Sequence, residues 1–427
     1  EMREMKDSGV QWIGEMPSDW MTMRVKNVAS KMQSGGTPDS SNDGFYVEKE
    51  NGIPWVTIAD MSTVSYVTDT GKYISEEAQK SKNLIIFQPG TILYAMYASV
   101  GKVAELSIPA TINQALLAIE LNTSVNGDFF KYALMAWEPY IISESSGTTQ
   151  FNLNANKVAN LRFPAPNVCA QKHIACFLNA KLGQANTLIA NVQAQIEKLK
   201  DYKQSLITEA VTKGLNPIAP VKNSGVEWIG EIPAHWEVKR GKVLFEESDA
   251  RSADGSEELL TVSQYTGITP RSQKNVNMFE ALTLEGYKIC DVGDIAANTM
   301  WLWAGAIGVS AYSGVISPSY NVYRQKAENF VPGYLDCLLR APMLVQEYAS
   351  RSTGIRASRL RLYPKDFLDI MFPVPPFGEQ QEIMRVLSDK FAAVDKLIAI
   401  KESKIEKLEQ YKKSLIYEYV TGKREVM

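Results

Sequence analysis

The chain contains few of the residues that build redox, metal or histidine chemistry. Its 427 residues include four cysteines and two histidines. The cysteines form no CxxC pair, and the first residues show no basic segment followed by an apolar one, so we expect a reduced, cytoplasmic protein. Only His173 and His235 are available, which leaves little material for acid–base catalysis by histidine.

Phosphate-loop, membrane and strongly basic signatures are missing as well. No GxxxxGKS/T phosphate-binding loop occurs. Residues 295–323 carry no charge, but Gly, Ser, Pro and Asn interrupt them, so they predict buried strands with tight turns and no membrane partner. The net charge of −3 argues against a protein coated in basic groups, although a local cluster of Lys or Arg is enough to bind nucleic acid.

What the sequence does contain is an internal repeat. Residues 6–20 read KDSGVQWIGEMPSDW and residues 222–236 read KNSGVEWIGEIPAHW, identical at ten of fifteen positions. We call each copy an opening motif. Residues 196–212, IEKLKDYKQSLITEAVT, match residues 405–421, IEKLEQYKKSLIYEYVT, at twelve of seventeen positions. The chain is long enough for two domains, and it contains one frame twice.

A third correspondence completes the frame. The proline-rich segments FPAPNVCAQKHI at 163–174 and FPVPPFGEQQEI at 372–383, which we call exits, share the 209-residue offset of the second pair. Each half therefore runs from an opening motif through a variable region and an exit to a long helix. The variable regions are rich in Gly, Pro, Thr, Tyr and Val in short runs, which predict strands and turns, with helices near 128–137 and 332–349.

Two long helices are predicted after the exits. Along the first, apolar residues step by three and four at Leu182, Ala185, Ile189, Val192, Ile196 and Leu199. The second repeats the pattern, with an interruption at Lys401, through Phe391, Val394, Ile398, Ile405 and Leu408. So narrow a stripe fits a helix packed along another helix. About 44 residues at about 1.5 Å each make a rod of roughly 65 Å, and two antiparallel rods would hold two domains at opposite ends.

These paired motifs resemble the specificity subunit of type I restriction-modification systems. The SGVxWIGExPxxW opening motif, the exits and the IEKLxxYKxSLI helix each occur twice and in the same order. The resemblance implies an α+β fold with a pseudo-twofold internal repeat, in which two mixed α/β target recognition domains are separated by two long antiparallel, coiled-coil-like helices. It assigns the first recognition domain to 1–168, the first spacer helix to 169–214, the second domain to 215–377 and the second spacer helix to 378–427.

The resemblance also implies a function. Each target recognition domain would read one half of a bipartite, asymmetric site on double-stranded DNA. The partners would be two modification subunits, which hold S-adenosylmethionine and methylate adenine, and restriction subunits, which use ATP and Mg to translocate and cut. This chain would bind no cofactor and would catalyse no reaction. A pseudo-twofold protein with unlike ends suits an asymmetric site, because the spacing of its readers is imposed on the duplex.

Candidate DNA contacts in the first domain fall in three segments. The SGGTP turn at 34–38 includes Thr37 and offers amides to a phosphate, although ordinary turn chemistry is the commoner explanation for such a segment. Residues 147–156 are dense in groups suited to base edges, or else form a solvated polar loop, and the candidates are Thr148, Thr149, Gln150, Asn152 and Asn154. The set is completed by Tyr94, Tyr97 and Lys102, the tyrosines being equally compatible with the core.

The second domain contains the best basic cluster of the chain. Within fifteen residues and with no acid among them stand Arg351, Arg356, Arg359, Arg361 and Lys365. Arginine forks suit guanine or phosphate, so we expect at least two of these side chains to contact DNA rather than form a solvated face. Further candidates after the turn TGITP are Arg271 and Lys274, whereas the core is expected to hold Trp301 and Trp303.

Three features have plainer explanations than the chemistry they suggest. Residues 374–377, VPPF, resemble the methyltransferase motif Asn/Asp-Pro-Pro-Tyr/Phe, but Val374 replaces the polar residue that would hold the amine, which favours a turn. One helical face carries Cys169, His173 and Cys176, but the other half has no equivalent and a fourth ligand is missing, so we expect no metal. The opening motifs either stabilise the fold or contact a modification subunit through Trp12, Trp20, Trp228 and Trp236.

Two other functions remain open on the sequence. A self-sufficient methyltransferase would transfer methyl groups to DNA without partners. A coiled-coil scaffold that binds no nucleic acid would show no sequence-dependent shift with any duplex, even when modification subunits are present.

Overall fold

Each half of the chain folds around its own β-sheets. The computed structural model describes residues 3–97, 99–145, 153–274, 283–354 and 360–426. Two compact units result: unit 1 comprises Glu1–Val192 and Ser403–Met427, and unit 2 comprises Gln193–Glu402. Each unit contains one opening motif, one variable region and a part of both long helices. The unit boundaries therefore fall within the helices rather than at their ends.

Unit 1 is built mainly from short strands. They are β1 (Met5–Asp7), β2 (Glu15–Pro17), β3 (Met21–Arg24), β4 (Ala29–Ser34), β5 (Tyr46–Val47), β6 (Ile53–Val56), β7 (Tyr66–Val67), β8 (Tyr73–Ile74), β9 (Ile92–Ala95), β10 (Val103–Leu106), β11 (Thr111–Ile112), β12 (Leu116–Leu121) and β13 (Arg162–Ala165). The helices that begin in this unit are α1 (Val25–Val28), α2 (Ile58–Met61), α3 (Glu76–Ser81), α4 (Gly127–Ser145), α5 (Ala155–Asn160) and α6 (Val168–Lys213). The main sheet has the order β4-β12-β9-β10-β7, and a second has the order β11-β6-β8-β5.

Unit 2 has the same kind of architecture. Its strands are β14 (Val221–Asn223), β15 (Glu231–Pro233), β16 (Glu237–Arg240), β17 (Phe245–Ser248), β18 (Leu260–Ser263), β19 (Gly267–Pro270), β20 (Lys288–Cys290), β21 (Ile295–Ala297), β22 (Ile307–Val309), β23 (Gly314–Ile316), β24 (Asn321–Gln325) and β25 (Met371–Val374). Its helices are α7 (Gly241–Leu244), α8 (Pro332–Leu339), α9 (Pro342–Arg351), α10 (Pro364–Leu368) and α11 (Phe377–Val420). The main sheet has the order β17-β24-β21-β22.

The strand pairings repeat from one unit to the other, which confirms the predicted frame. The opening motif forms a hairpin twice, β1 with β2 and β14 with β15. The strand after each hairpin pairs antiparallel with the exit, β3 with β13 and β16 with β25. The order β4-β12-β9-β10 in unit 1 matches β17-β24-β21-β22 in unit 2. The uncharged residues 295–323 form β21 to β24, as predicted, and no helix in the described ranges is long and apolar enough to cross a membrane.

Alternation of side chains explains why the central strands are apolar on both faces. In β12, Leu117 and Ile119 pack into a core with Phe129 and Phe130 of α4. Their neighbours Leu116 and Ala118 point into a separate core that is shared with the second sheet. Because successive side chains of a strand point to opposite faces, a strand covered on both sides needs a continuous apolar run, here LLAI.

The opening-motif tryptophans are held within the fold. In unit 1, Trp12 and Trp20 are buried in the core that contains Leu415 and Tyr419 of α11. The indole N–H of Trp12 donates to the carbonyl of Arg162 on the exit strand (3.0 Å). In unit 2, the buried Trp236 donates through Nε1 to Glu379 Oε2 (3.0 Å) at the start of α11. These contacts support the stabilising role that the sequence left open.

The two long helices pack against each other within each unit. In unit 1 the rings of Phe177 and Tyr419 lie 4.5 Å apart between centroids. In unit 2, Lys203 Nζ lies 2.8 Å from Asp395 Oδ2, and Lys401 Nζ donates to Gln195 Oε1 (2.6 Å). The later residue of α6 meets the earlier residue of α11, so the pair is antiparallel in this unit, as predicted.

A buried glutamine ties each long helix to its variable region. In α6, Gln171 Oε1 accepts from the amide of Asn126 and Nε2 donates to the carbonyl of Pro166, both at 2.8 Å. At the equivalent position in α11, Gln380 Oε1 accepts from Val331 N, and Nε2 donates to the carbonyls of two residues, Asn329 and Pro375, all at 2.9 Å. The side chain of Gln380 thus satisfies backbone hydrogen-bonding groups in two places, the turn between β25 and α11 and the segment that leads into α8.

We expect Gln380→Met to lower the free energy of unfolding by about 3 kcal/mol. The change leaves three backbone groups without their partner, at about 1 kcal/mol or more for each. Urea denaturation followed by tryptophan fluorescence measures the effect. The matched control is Gln381→Met, because Gln381 is exposed one position along the same helix and should change stability by less than about 0.5 kcal/mol. Equal losses from the two variants would contradict the bridging role.

Candidate nucleic-acid interface

The two segments richest in candidate contacts occupy the same place in the frame. In unit 1 the segment joins α4 to α5, and in unit 2 it joins α9 to α10. The helices that follow begin at Ala155 and Pro364, which differ by the same offset of 209 as the exits. We call residues 146–154 connecting segment 1 and residues 352–363 connecting segment 2. Both end on the short helix that precedes the exit strand.

Part of each connecting segment lies outside the described residues. This applies to the predicted contacts Thr148, Thr149, Gln150 and Asn152 of segment 1, and to Arg356 and Arg359 of segment 2. The positions of these six candidates therefore stay predictions.

Segment 2 is closed at its ends by backbone pairing. The amide of Thr353 donates to the carbonyl of Arg361 (2.9 Å), and the amide of Arg361 donates back to the carbonyl of Thr353 (3.0 Å). The side chains of Arg361 and Lys365 are exposed, whereas Arg351 is paired with Glu347 one turn earlier in α9. Arg361 thus stands at the pairing with Thr353, and Lys365 follows it in α10, both with exposed side chains.

Asn154 has a structural task that the sequence pattern alone did not reveal. It is the N-cap of α5, where its Oδ1 accepts from the amide of Lys157 (2.9 Å). An N-cap side chain satisfies an amide that has no partner in the helix. The exposed amide group of Asn154 therefore keeps only part of its hydrogen-bonding capacity for a base edge.

Two amides of the SGGTP turn form hydrogen bonds inside unit 1, which supports the explanation by ordinary turn chemistry. Gly35 donates to the carbonyl of Leu116 (3.3 Å) and Gly36 to that of Ile112 (3.0 Å). A Cβ on Gly35 would overlap the carbonyl of Ile112, so glycine is needed for close backbone approach. Thr37 donates through Oγ1 to Gln114 Oε1. The turn is therefore a packing device, and only the partly exposed Thr37 remains a candidate.

The hairpin of β9 and β10 separates two tyrosines that the sequence could not distinguish. Tyr94 is fully buried, stacks on Trp137 with centroids 6.3 Å apart, and burial raises the pKa of its hydroxyl. A side chain that is not exposed to solvent cannot contact a duplex. Tyr94 is therefore a core residue and not a DNA contact. Tyr97 in the loop is 38% exposed, and Lys102 pairs with Glu138 of α4 at 3.0 Å.

In unit 2 the candidates Arg271 and Lys274 follow strand β19. The amide of Arg271 donates to the carbonyl of Leu259 (2.8 Å), and the amide of Lys274 donates to the carbonyl of Arg271 (2.9 Å). Both side chains are half-buried, and burial lowers the pKa of the Lys274 ammonium. They lie on the turn that follows the β18–β19 hairpin and not on connecting segment 2, so these two groups of candidates occupy different elements.

Trp301 is the clearest error of the sequence-based expectation, which placed it in the core. Its side chain is 50% exposed and stacks on Trp303, with centroids 5.7 Å apart. Trp303 is half-buried and donates through Nε1 to the carbonyl of Met300 (2.9 Å). Aligning the β9–β10 and β21–β22 loops on their final glycine would have paired Trp301 with Tyr97.

The features that suggested enzyme chemistry are structural elements. Residues 374–377 lead from β25 into α11, and the carbonyl of Pro375 accepts from Gln380, so the turn predicted from sequence is present. Cys169 and Cys176 are exposed on α6 as free thiols. Within the part of the chain that the structure describes, no group of three or more His, Cys, Asp or Glu side chains is placed to hold a metal ion.

Substitutions at Asn154 separate its cap from any contact with a base. We expect Asn154→Ala to lower the free energy of unfolding by about 1 kcal/mol, while Asn154→Ser, which keeps a capping oxygen, stays within a few tenths. Urea denaturation of both variants is the measurement. Serine retains the capping oxygen but lacks the side-chain amide. A loss of DNA affinity in Asn154→Ser would therefore show that the amide of Asn154 contacts DNA. An alanine variant as stable as the serine variant would contradict the cap.

Comparison with known proteins gives a consistent family. Residues 17–198 match the type I restriction modification DNA specificity domain. The MjaVIII type I restriction enzyme specificity subunit of Methanocaldococcus jannaschii is 22% identical, over 96% of this chain and 93% of its own. A second protein of that organism, provisionally named the MjaX specificity subunit, is 26% identical over 96% of this chain and 95% of its own. The EcoBI specificity subunit of Escherichia coli is 21% identical over 92% and 84%.

A solved structure supports the fold. A chain from the study of complex assembly and conformational transition of the type I R-M system covers 96% of this chain and 99% of its own, with a TM-score of 0.63 and 15% identity. The repeated frame, the paired long helices and these relatives agree. Over nearly its whole length the chain is similar to the DNA specificity subunits of type I restriction-modification systems, a non-catalytic family.

Proposed function

We propose that each unit reads one half of a bipartite, asymmetric site on double-stranded DNA. The observation that carries this proposal is the shared position of the two connecting segments, which precede the same exit in frames whose opening hairpin, exit pairing and order of four main-sheet strands match. Segment 1 is rich in Thr, Asn and Gln, whereas segment 2 is rich in Arg. Equal placement with unlike chemistry is what two readers of different sequences require.

The side chains of each segment suit direct readout of bases. Gln and Asn pair bidentately with adenine in the major groove, and Arg pairs with guanine or with phosphate. The exposed Arg361, which pairs with Thr353, and the exposed Lys365 of α10 supply positive charge where the segment leads into α10. Phosphate contacts position the protein on the duplex, and base contacts determine the sequence that it selects. In this proposal the two long helices act as spacers that set the gap between the half-sites.

The modification subunits are the proposed partners of the repeated helix segment. Tyr202 of α6 and Tyr411 of α11 are equivalent in the repeat, and they are 50% and 48% exposed. Large exposed aromatic residues are common energetic centres of protein interfaces. Two equivalent surfaces support two copies of one partner, which would bring S-adenosylmethionine and methylate adenine. Restriction subunits that use ATP and Mg would complete the nuclease, and the chain itself would bind no cofactor.

We expect Arg361→Ala combined with Lys365→Ala to weaken binding to one half-site only. Each phosphate contact that is lost reduces the slope of log K against log salt by about 0.9, so the slope should fall by about 1 to 2. The measurement uses the complex reconstituted with modification subunits, with duplexes in which one half-site or the other is scrambled. The target itself comes from mapping methylated adenines in cells with and without the gene.

The matched control for this experiment is Lys222→Ala combined with Lys396→Ala. It removes the same charge from exposed lysines of unit 2 that lie on strand β14 and helix α11, outside connecting segment 2 and α10. Binding to both half-sites should stay unchanged in this control. If the Arg361 and Lys365 variant bound both half-sites more weakly, the result would contradict the proposal that each unit reads its half-site independently. Methyl transfer by the purified chain alone would favour the self-sufficient enzyme, and no preference for any duplex would favour the scaffold.

We expect Tyr202→Ala and Tyr411→Ala each to reduce binding of one modification subunit, and the double variant to reduce binding of both. Loss of one buried aromatic anchor at an interface costs on the order of 2 kcal/mol. Native mass spectrometry of the mixed subunits gives the stoichiometry. Ile400→Ala is the control, because Ile400 is 57% exposed on α11 but its counterpart in α6 is Asn191. Unchanged stoichiometry in the double variant would place the partner surface elsewhere.

A further inference from the structure

Both units present an exposed aromatic residue in the same loop. In the matched main sheets, the loop between β9 and β10 contains Tyr97, and the loop between β21 and β22 contains Trp301. Each residue stands four positions before a glycine in the left-handed region, Gly101 with φ +91° and Gly305 with φ +87°. Between these glycines and the preceding strands the two sequences differ almost completely. The aromatic residue and the glycine are what the loops share.

The two glycines allow both loops to approach equivalent helices closely. A Cβ on Gly101 would lie 3.0 Å from Cγ of Glu138 in α4, and a Cβ on Gly305 would lie 3.1 Å from Cγ2 of Val345 in α9. These are the helices whose ends lead into connecting segments 1 and 2. In each unit, the loop with the exposed aromatic residue therefore packs against the helix that precedes the connecting segment.

The strand after each loop is fastened to the helical layer by a polar contact. In unit 1, Glu105 Oε2 of β10 accepts from Lys131 Nζ of α4 (2.6 Å). In unit 2, Asp336 Oδ1 of α8 accepts from the amide of Val309 in β22 (2.9 Å). Val309 lies four residues after Gly305, as Glu105 lies four residues after Gly101. Because the strand after each loop is fixed to the helices in both units, the loop that holds the aromatic residue is also fixed at that end.

The loop around Trp301 is ordered by its own hydrogen bonds while the ring stays exposed. The amide of Trp301 donates to the carbonyl of Asn298 (3.0 Å), and the carbonyl of Trp301 accepts from Ala304 (3.0 Å) and Ala306 (3.1 Å). Trp303 provides the surface on which the ring of Trp301 stacks. Keeping half of a tryptophan in water forgoes burial energy that the fold had the means to use. A rigid, half-exposed ring is the form that a contact residue takes.

A cation accompanies the aromatic residue in both units. Lys102, next to Gly101, pairs with Glu138 of α4. Glu347 of α9 is the counterpart of Glu138 at the 209-residue offset, and it pairs with Arg351. The same carboxylate position thus holds a lysine in one unit and an arginine in the other. Both cations were among the candidate DNA contacts, and the exposed rings lie in the loops beside them.

We propose that Tyr97 and Trp301 pack against the bases of their own half-sites and support the local opening that adenine methylation requires. This inference rests on the proposed function in DNA recognition. A methyltransferase reaches its target atom only when the base leaves the stack, and aromatic or apolar side chains stabilise unstacked steps. Every base has a π-face, so such a contact tolerates any sequence. This explains why an aromatic residue is present in both units while the readers differ.

The test uses the complex reconstituted with modification subunits and a duplex that contains both mapped half-sites. 2-Aminopurine replaces a base next to the target adenine in one half-site, because its fluorescence rises when stacking is lost. We expect Trp301→Ala to reduce affinity on the order of tenfold and to abolish the fluorescence change in the half-site of unit 2 alone. Tyr97→Ala should have the same effect in the other half-site.

Two further variants keep the result interpretable. Trp301→Tyr retains a ring and should restore most of the affinity and fluorescence. Val243→Ala removes an exposed apolar side chain from α7, next to β17 at the far end of the main sheet, and should match the wild type. Unchanged affinity and fluorescence in Trp301→Ala would overturn the inference and leave DNA recognition intact. A wild-type complex that binds the target no better than a scrambled duplex would overturn DNA recognition itself, and the inference with it.

Discussion

Both units depend on the burial of an opening-motif tryptophan against the end of a long helix. Trp20 lies against Gly422 after α11, and Trp236 lies against Gly214 after α6. Each glycine has a positive φ, which ends the helix and leaves room for the ring, since any Cβ there would meet the indole. Removing a buried tryptophan costs about 3–5 kcal/mol. This packing of tryptophan on glycine fixes the hairpin of the opening motif. The strand after the hairpin pairs with the exit strand, so the exit strand is fixed without contacts from the variable region.

A frame closed in this way lets the parts between its joints diverge. The exit strand pairs with the strand after the opening motif, and a buried glutamine connects the start of each long helix to the variable region. Within these limits, one unit builds a two-sheet domain with a segment rich in Thr, Asn and Gln, and the other builds smaller sheets with a segment rich in Arg. Equal placement of unlike segments is the physical basis of the proposal that the two units read half-sites of different sequence.

The accessibility of the individual candidate residues was harder to predict than the frame. Tyr94 and Tyr97 are three residues apart in similar surroundings, but one is in strand β9 under α4 and the other in the loop beyond it. The glycines of the SGGTP turn have the composition of an anion site, but their amides are used by Ile112 and Leu116. Trp301 was expected in the core because large aromatic residues usually are, and only the path of the β21–β22 loop leaves its ring in solvent.

The repeat, the two long helices and the family resemblance were determined by the sequence alone, because they rest on identity between the halves and on local periodicity that needs no knowledge of distant contacts. Which faces of the strands are buried, which carbonyls hold the turn glycines and which aromatic side chain stays exposed were decided only by the tertiary structure. Each of these depends on residues far away in the chain that the fold brings together, such as Lys131 with Glu105 or Gln380 with Val331. Local sequence does not encode such pairings, since they arise only when sheets and helices pack.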